Sequence, residues 1–179
     1  MPSPDAVIIQ CTPAMLRHPL AANGWRLSSL SCSGTALAAT WEHTDFSEYT
    51  LLPFNGVLDE QQPRLAVSHT PIRESLPKAE RDLGSLLSRE EATRRLYAFT
   101  QHFSLKTRLS WGKRTVKKVE KQDVACPWIS SSWELSNLPA YLIADYRSLA
   151  QALNIPGLLI KEISYANESW KIRGELYAK

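Results

Sequence analysis

Glycine is scarce, with seven in 179 residues, and none stands in a phosphate-cradling loop ahead of a Gly-Lys-Ser or Gly-Lys-Thr sequence. Nucleotide chemistry of that kind is therefore not expected. No apolar run approaches the roughly 18 to 20 residues that span a bilayer, and Asp5 with the short stretch Ala6 to Ile9 does not make a signal peptide. If the chain works outside the cytoplasm, a segment not present in it is expected to carry it there; the opening Met1-Pro2-Ser3-Pro4 reads like a linker. The four histidines, His18, His43, His69 and His102, are scattered without metal-ligand spacing, and there is no Gly-x-Ser-x-Gly elbow. His43-Thr44-Asp45 falls where a turn is expected, and Asp in a turn needs no catalytic reason. No metal, no cofactor and no enzyme are expected.

What is present is an ordinary soluble composition, 44% apolar and 22% charged, which excludes global disorder and disulfide-dense miniproteins. The net charge of +3 is too mild to demand a polyanionic partner. The pattern predicts a helix over 6–22, stopped at Asn23-Gly24, then two strands between Trp25 and Trp41 that turn at Ser33-Gly34 and change phase between Ser29 and Leu30. Further strands are predicted at Tyr49 to Phe54, closed by Asn55-Gly56, and at Leu65 to His69, with a break around Pro71 and Pro77. Ser88 and Glu91 form a capping-box pattern ahead of Ala92, Leu96, Phe99 and Phe103, which predicts a helix over about 89–108. Residues 112–127 read as a polar loop or an exposed strand. A strand over Trp128 to Ser136, a short helix around Tyr146 to Leu153 and a terminal hairpin about Ala166-Asn167-Glu168 complete the chain.

The most informative feature is an internal echo. Leu20-Ala-Ala-Asn-Gly24-Trp-Arg-Leu27-Ser-Ser-Leu30-Ser-Cys32 aligns without a gap on Leu153-Asn-Ile-Pro-Gly157-Leu-Leu-Ile160-Lys-Glu-Ile163-Ser-Tyr165. Each copy reads as helix end, glycine, strand, turn and strand. The expected fold class is α+β: an antiparallel sheet with helices on one face, ferredoxin-like or a permuted or duplicated αββ relative, with Leu27, Leu30, Ile160 and Ile163 facing the helices. A single domain over 1–179 is expected, with αββ-containing halves at about 5–70 and 86–179.

Three groups of residues are candidates for function. Cys11 lies near the start of the first helix and Cys32 near the end of the first strand; the helix descends about 18 Å and the strand returns about 23 Å, which brings the sulfurs to one end. A disulfide there implies an oxidising compartment, and two reduced core cysteines in a cytosolic protein are the alternative; Cys126 is left over either way. The segment 106–123 holds seven basic residues against two acids, with Lys113, Arg114, Lys117 and Lys118 as its centre. Such a patch can bind nucleic acid or anionic lipid in a cytosolic binding domain. The plainer reading is a solvated loop, and with Trp111 as its single aromatic the segment lacks a stacking platform, so nucleic-acid binding is not expected. Of the six tryptophans most belong to a core, and Trp133 and Trp170 are the candidates for anchors on an exposed sheet face.

Cys11, the run Asn23-Gly-Trp-Arg-Leu-Ser-Ser-Leu-Ser-Cys32, Ala39-Thr-Trp-Glu42, Ile155-Pro-Gly157, Ile163-Ser-Tyr165 and Trp170-Lys-Ile-Arg-Gly-Glu-Leu-Tyr-Ala178 together resemble the C-terminal part of the PilO-type pilin accessory proteins of type IVb pilus systems. The resemblance is carried by both ends of the chain and not by 55–150. It implies the periplasmic domain of a bitopic inner-membrane protein, one that contributes to a pilus assembly platform as a non-enzymatic scaffold. Its implied partners are other platform proteins, pilin or a second copy of itself, and its cysteine pair carries over as Cys11 and Cys32.

Overall fold

The computed structural model describes residues 7–8, 11, 24–33, 36–42, 56–59, 64–69 and 85–179. Among the described residues there are ten strands: β1 (Arg26–Ser33), β2 (Leu37–Glu42), β3 (Gly56–Asp59), β4 (Arg64–His69), β5 (Lys106–Trp111), β6 (Val116–Val119), β7 (Gln122–Ala125), β8 (Ile129–Leu138), β9 (Leu158–Ala166) and β10 (Ser169–Ala178). The helices are α1 (Arg89–His102), α2 (Ala140–Ala144) and α3 (Tyr146–Ala152), and Val7, Ile8 and Cys11 are also helical. Eight strands form one sheet in the order β3-β4-β2-β1-β9-β10-β8-β5, and β6 and β7 form a separate ribbon. Every pairing is antiparallel. The antiparallel α+β class expected from the sequence is thus the one the structure has.

The internal echo has a geometric counterpart. Gly24 and Gly157, equated by the alignment, both have φ of 83°, a left-handed conformation open to glycine at little cost. In β1 the pairing with β2 passes from Leu27–Trp41 to Ser29–Thr40, so Ser28 is an extra residue. In β9 the pairing with β10 passes from Ile160–Gly174 to Glu162–Arg173, so Lys161 is the extra residue. Ser28 and Lys161 occupy equivalent positions. The phase change legible in the sequence is thus a β-bulge, present in both copies, which lets Leu27 and Leu30, or Ile160 and Ile163, lie on the same side of the sheet. β1 and β9 are direct neighbours, and Ser31 pairs with its own equivalent, Ser164. A pseudo-two-fold axis therefore passes through that pair, relating β2 to β10 on either side.

One face of the sheet is apolar. Leu30, Cys32, Leu37, Trp41, Ile160, Ile163, Ile172, Leu176 and Leu135 are all buried on it, and Leu27 is half-buried beside them. Helix residues Ala92, Leu96, Phe99, Leu142, Ile143 and Leu149 complete the same cluster. In α1 these residues recur at intervals of four and three, one stripe of a helix that packs on the sheet. Its start is set by Ser88, whose Oγ accepts from the Glu91 N–H at 3.2 Å. Fully burying each large aliphatic side chain stabilises the fold by about 1.5–3 kcal/mol.

Several elements differ from the sequence expectation. The α1 helix ends at His102, not near 108: Phe103 is its C-cap, Ser104 turns with φ of 54°, and the Leu105 N–H donates to Thr100 O at 2.9 Å. Phe103 and Leu105 still pack against the core, which is why the apolar spacing outlasts the helix. Lys106 then begins β5. Gly56, expected in a turn, begins β3. The 112–127 stretch contains the β6–β7 ribbon, and Ala140–Ala144 forms a helix that the sequence pattern did not reveal. The strand expected at 49–54, the break around 71–77 and His43-Thr44-Asp45 lie outside the described residues.

Candidate functional site

The face of the sheet opposite the core is polar because alternate residues of each strand must point there. It carries Ser31, Ser132, Ser136 and Ser164 among charged side chains that neutralise one another across strands. Arg173 donates from both Nε and Nη2 to Glu162, the Nε contact at 2.8 Å. Lys161 Nζ lies 3.2 Å from Glu175 Oε1 and Lys171 Nζ 3.6 Å from Glu134 Oε1. Two shallow clefts open on this face. One, about 530 Å³, is bounded by Lys106, Arg108, Ser136, Ser164 and Lys171, and the other, about 440 Å³, by Arg108, Glu134, Lys161, Arg173 and Glu175. Neither brings a nucleophile, base and acid together in the manner of a hydrolytic site. Among the described residues no group of three His, Cys, Asp or Glu side chains is placed to hold a metal ion.

Cys11 and Cys32 are bonded to each other, with Cα atoms 6.0 Å apart. Both are fully buried, so the bond clamps the N-terminal helical residues Val7 and Ile8 onto the apolar face of the sheet. Cys126 is free and half-buried, 2.8 Å from Thr115 O through its own N–H.

The two tryptophans expected as surface anchors are core residues. Trp133 is 2% exposed and Trp170 9%. Trp133 pairs in register with Gly174, and its ring comes within 3.0 Å of where a Cβ on that glycine would stand. In the other half the position equivalent to Gly174 is Trp41, also buried. One indole per half fills that part of the core, supplied by β2 in the first half and by β8 in the second. Trp170 packs against Tyr165, with ring centroids 4.6 Å apart and the ring planes tilted by 40°. Strand phase decides both cases: Trp133 alternates with Ser131 and Leu135, and Trp170 with Ile172 and Gly174, all of them buried. These residues therefore offer no surface to a partner.

The basic segment divides into two parts. Lys106 and Arg108 lie on the polar side of β5, the last strand of the sheet, while Lys113, Arg114, Lys117 and Lys118 lie at the base and on the first strand of the ribbon. Every ribbon residue is exposed. Its two-residue turn, Glu120-Lys121, has φ of 51° and 65°, which is the geometry of a type I′ hairpin turn. At its base the Arg114 guanidinium donates to the Cys126 carbonyl at 2.7 Å. The exposed-strand alternative for 112–127 is the one the structure has; the sequence leaves it beside a loop because Val116, Val119 and Val124 do not segregate to one face, so no clean alternation marks the ribbon. Elsewhere on the surface, hydrogen bonds from Arg94 and then Arg95 hold the Glu91 carboxyl down to about 2, below its usual 4.5.

No helix among the described residues is long and apolar enough to cross a membrane. The family model described as Pilin accessory protein (PilO) matches residues 1–178, and so also covers the 55–150 stretch that carries none of the motifs quoted above. No curated protein and no solved structure matches the chain. With the family model extending over nearly the whole length, the chain belongs to the PilO family of pilin accessory proteins.

Proposed function

We propose that residues 1–179 form a single periplasmic domain of an inner-membrane protein, which acts without turnover as a scaffold in a pilus assembly platform. The observation that carries this reading is the family match over 1–178. The fully buried Cys11–Cys32 bond supports an oxidising compartment, since such bonds are rare in reducing cytosol, and so weighs against a cytosolic binding domain. The partners are other platform proteins, pilin or a second copy. Contacts of the isolated domain are weak, because a membrane anchor supplies the effective concentration in the cell.

The test is removal of this domain from the full-length protein in its host. Piliation is expected to be lost while the remaining fragment stays with the membrane; normal piliation would refute the scaffold role. Thiol counting on protein recovered without reduction checks the compartment. Only Cys126 is expected to react, and two further reactive thiols at Cys11 and Cys32 would restore the cytosolic alternative.

A further inference from the structure

The cations of 106–123 behave differently from the ion-paired cations elsewhere on the described surface. Arg26, Arg94, Arg95, Lys161, Lys171 and Arg173 each form an ion pair. None of the seven cations of 106–123 does, and Arg114 is held by a carbonyl alone. Two further features coincide with this unneutralised charge. β5 ends the sheet, pairing only with β8 among the described strands, so one margin of its backbone has no strand partner. Immediately after it the β6–β7 ribbon stands clear of the sheet with Val116, Val119 and Val124 59%, 54% and 48% exposed. A two-stranded ribbon with nothing packed on it is at best marginally stable in water, so a partner that engages it would stabilise it.

We propose that the β5 edge and the β6–β7 ribbon together form the docking site for an extended acidic segment of a partner protein, which adds to the sheet as a further strand. The inference rests on the scaffold reading and names the chemistry of its contact. A strand laid beside β5 sends alternate side chains to the polar face, where Lys106 and Arg108 border the larger cleft and receive carboxylates. The intervening side chains fall on the other face beside Leu109 and Trp111, both half-buried at the margin of the core. The segment that fits therefore alternates acidic and apolar residues. The ribbon extends the same selection with Lys117, Lys118 and its valines.

The ribbon does not suit a lipid surface. A membrane-inserting arm gathers its apolar residues on one face or at the tip, whereas Val116 and Lys118 share one face, Val119, Val124 and Lys117 the other, and the tip is Glu120-Lys121. Nucleic acid fits no better. The ribbon has no aromatic residue, and Trp111 is half-buried, with Arg89 5.6 Å from its ring centroid.

The test uses the disulfide-intact chain and, as probe, an eight-residue peptide alternating glutamate and valine, followed through backbone amide shifts at physiological salt. Shifts are expected at 106–111 and 116–125, and the Kd should rise at least tenfold in Lys106→Glu/Arg108→Glu and in Lys117→Glu/Lys118→Glu. The corresponding Gln variants, which carry no repulsive charge, should weaken binding in the same order with unchanged thermal midpoints. Absence of shifts, shifts confined to other strands, or equal binding of a lysine–valine peptide would overturn the proposal. So would phosphatidylglycerol vesicles or single-stranded RNA moving these amides where the acidic peptide does not. In the host, charge reversal at all four positions should reduce piliation. If piliation survives reversal but not deletion of the domain, the docking site falls and the scaffold reading stands; normal piliation in the deletion strain removes both.

Discussion

Replacing both Cys11 and Cys32 by alanine isolates what the disulfide does. The bond joins residues 21 apart in sequence. The chain-entropy relation for a closed loop of this size gives about 3 kcal/mol lost from stability at 25 °C, all of it through a less constrained unfolded chain. The variant also leaves two small voids, because both sulfurs are fully buried. For a domain of 150–250 residues each kcal/mol moves the midpoint by roughly 2–4 °C, so a fall of about 6–12 °C is expected. Differential scanning calorimetry on the oxidised, reduced and double-alanine proteins measures it. Urea titration adds a separate signature, an increase in m, because the unfolded chain is freer to expand. The loss should be concentrated near the bond: amides of Val7, Ile8 and Cys11 should exchange much faster, while those of β9 and β10 keep most of their protection. A midpoint unchanged by reduction, or uniform loss of protection across the sheet, would refute the view that the bond clamps the first helical residues onto the core.

Three further outcomes follow from particular atoms. A Cβ at Gly174 would overlap the Leu159 carbonyl and crowd the Trp133 ring, so Gly174→Ala should cost more than about 2 kcal/mol in a urea titration, against a few tenths for an exposed serine-to-alanine change on the polar face. The Glu91 carboxyl has its folded pKa lowered to about 2 by Arg94 and Arg95, so its contribution is complete above about 4.5 and disappears as pH falls from there towards 2. Glu91→Gln should therefore lower the thermal midpoint at pH 7 and flatten its dependence on pH in that window, and an unchanged profile would show the pairs to be inert. Replacing the turn Glu120-Lys121 by Asn-Gly relieves two non-glycine residues of positive φ, and hydrogen exchange in the ribbon should slow; faster exchange would contradict the turn geometry.

The αββ unit and its repetition are readable in the order of residues alone. Gly24 and Gly157, the phase change between Ser29 and Leu30, and the alignment of Ser31 on Ser164 were legible because a left-handed glycine and a bulge constrain local backbone, and local backbone leaves its trace in spacing. The N-cap at Ser88 was readable for the same reason. The cysteine pair was legible too, since the rise of a helix and of a strand fixes where each ends. Tertiary structure alone decided which residues are seen from outside. The alternation of β8 and β10 groups Trp133 with Leu135 and Trp170 with Ile172, but which of the two faces is covered depends on helices packed from elsewhere in the chain. The end of α1 was hidden likewise, because Phe103 and Leu105 are held against the core after the backbone has turned at Ser104. The adjacency of β1 and β9, the openness of the β5 edge and the isolation of the β6–β7 ribbon are pairings, present or missing, between strands distant in sequence. A strand's own residues determine that it can pair; only the assembled sheet determines which of its edges is left without a neighbour.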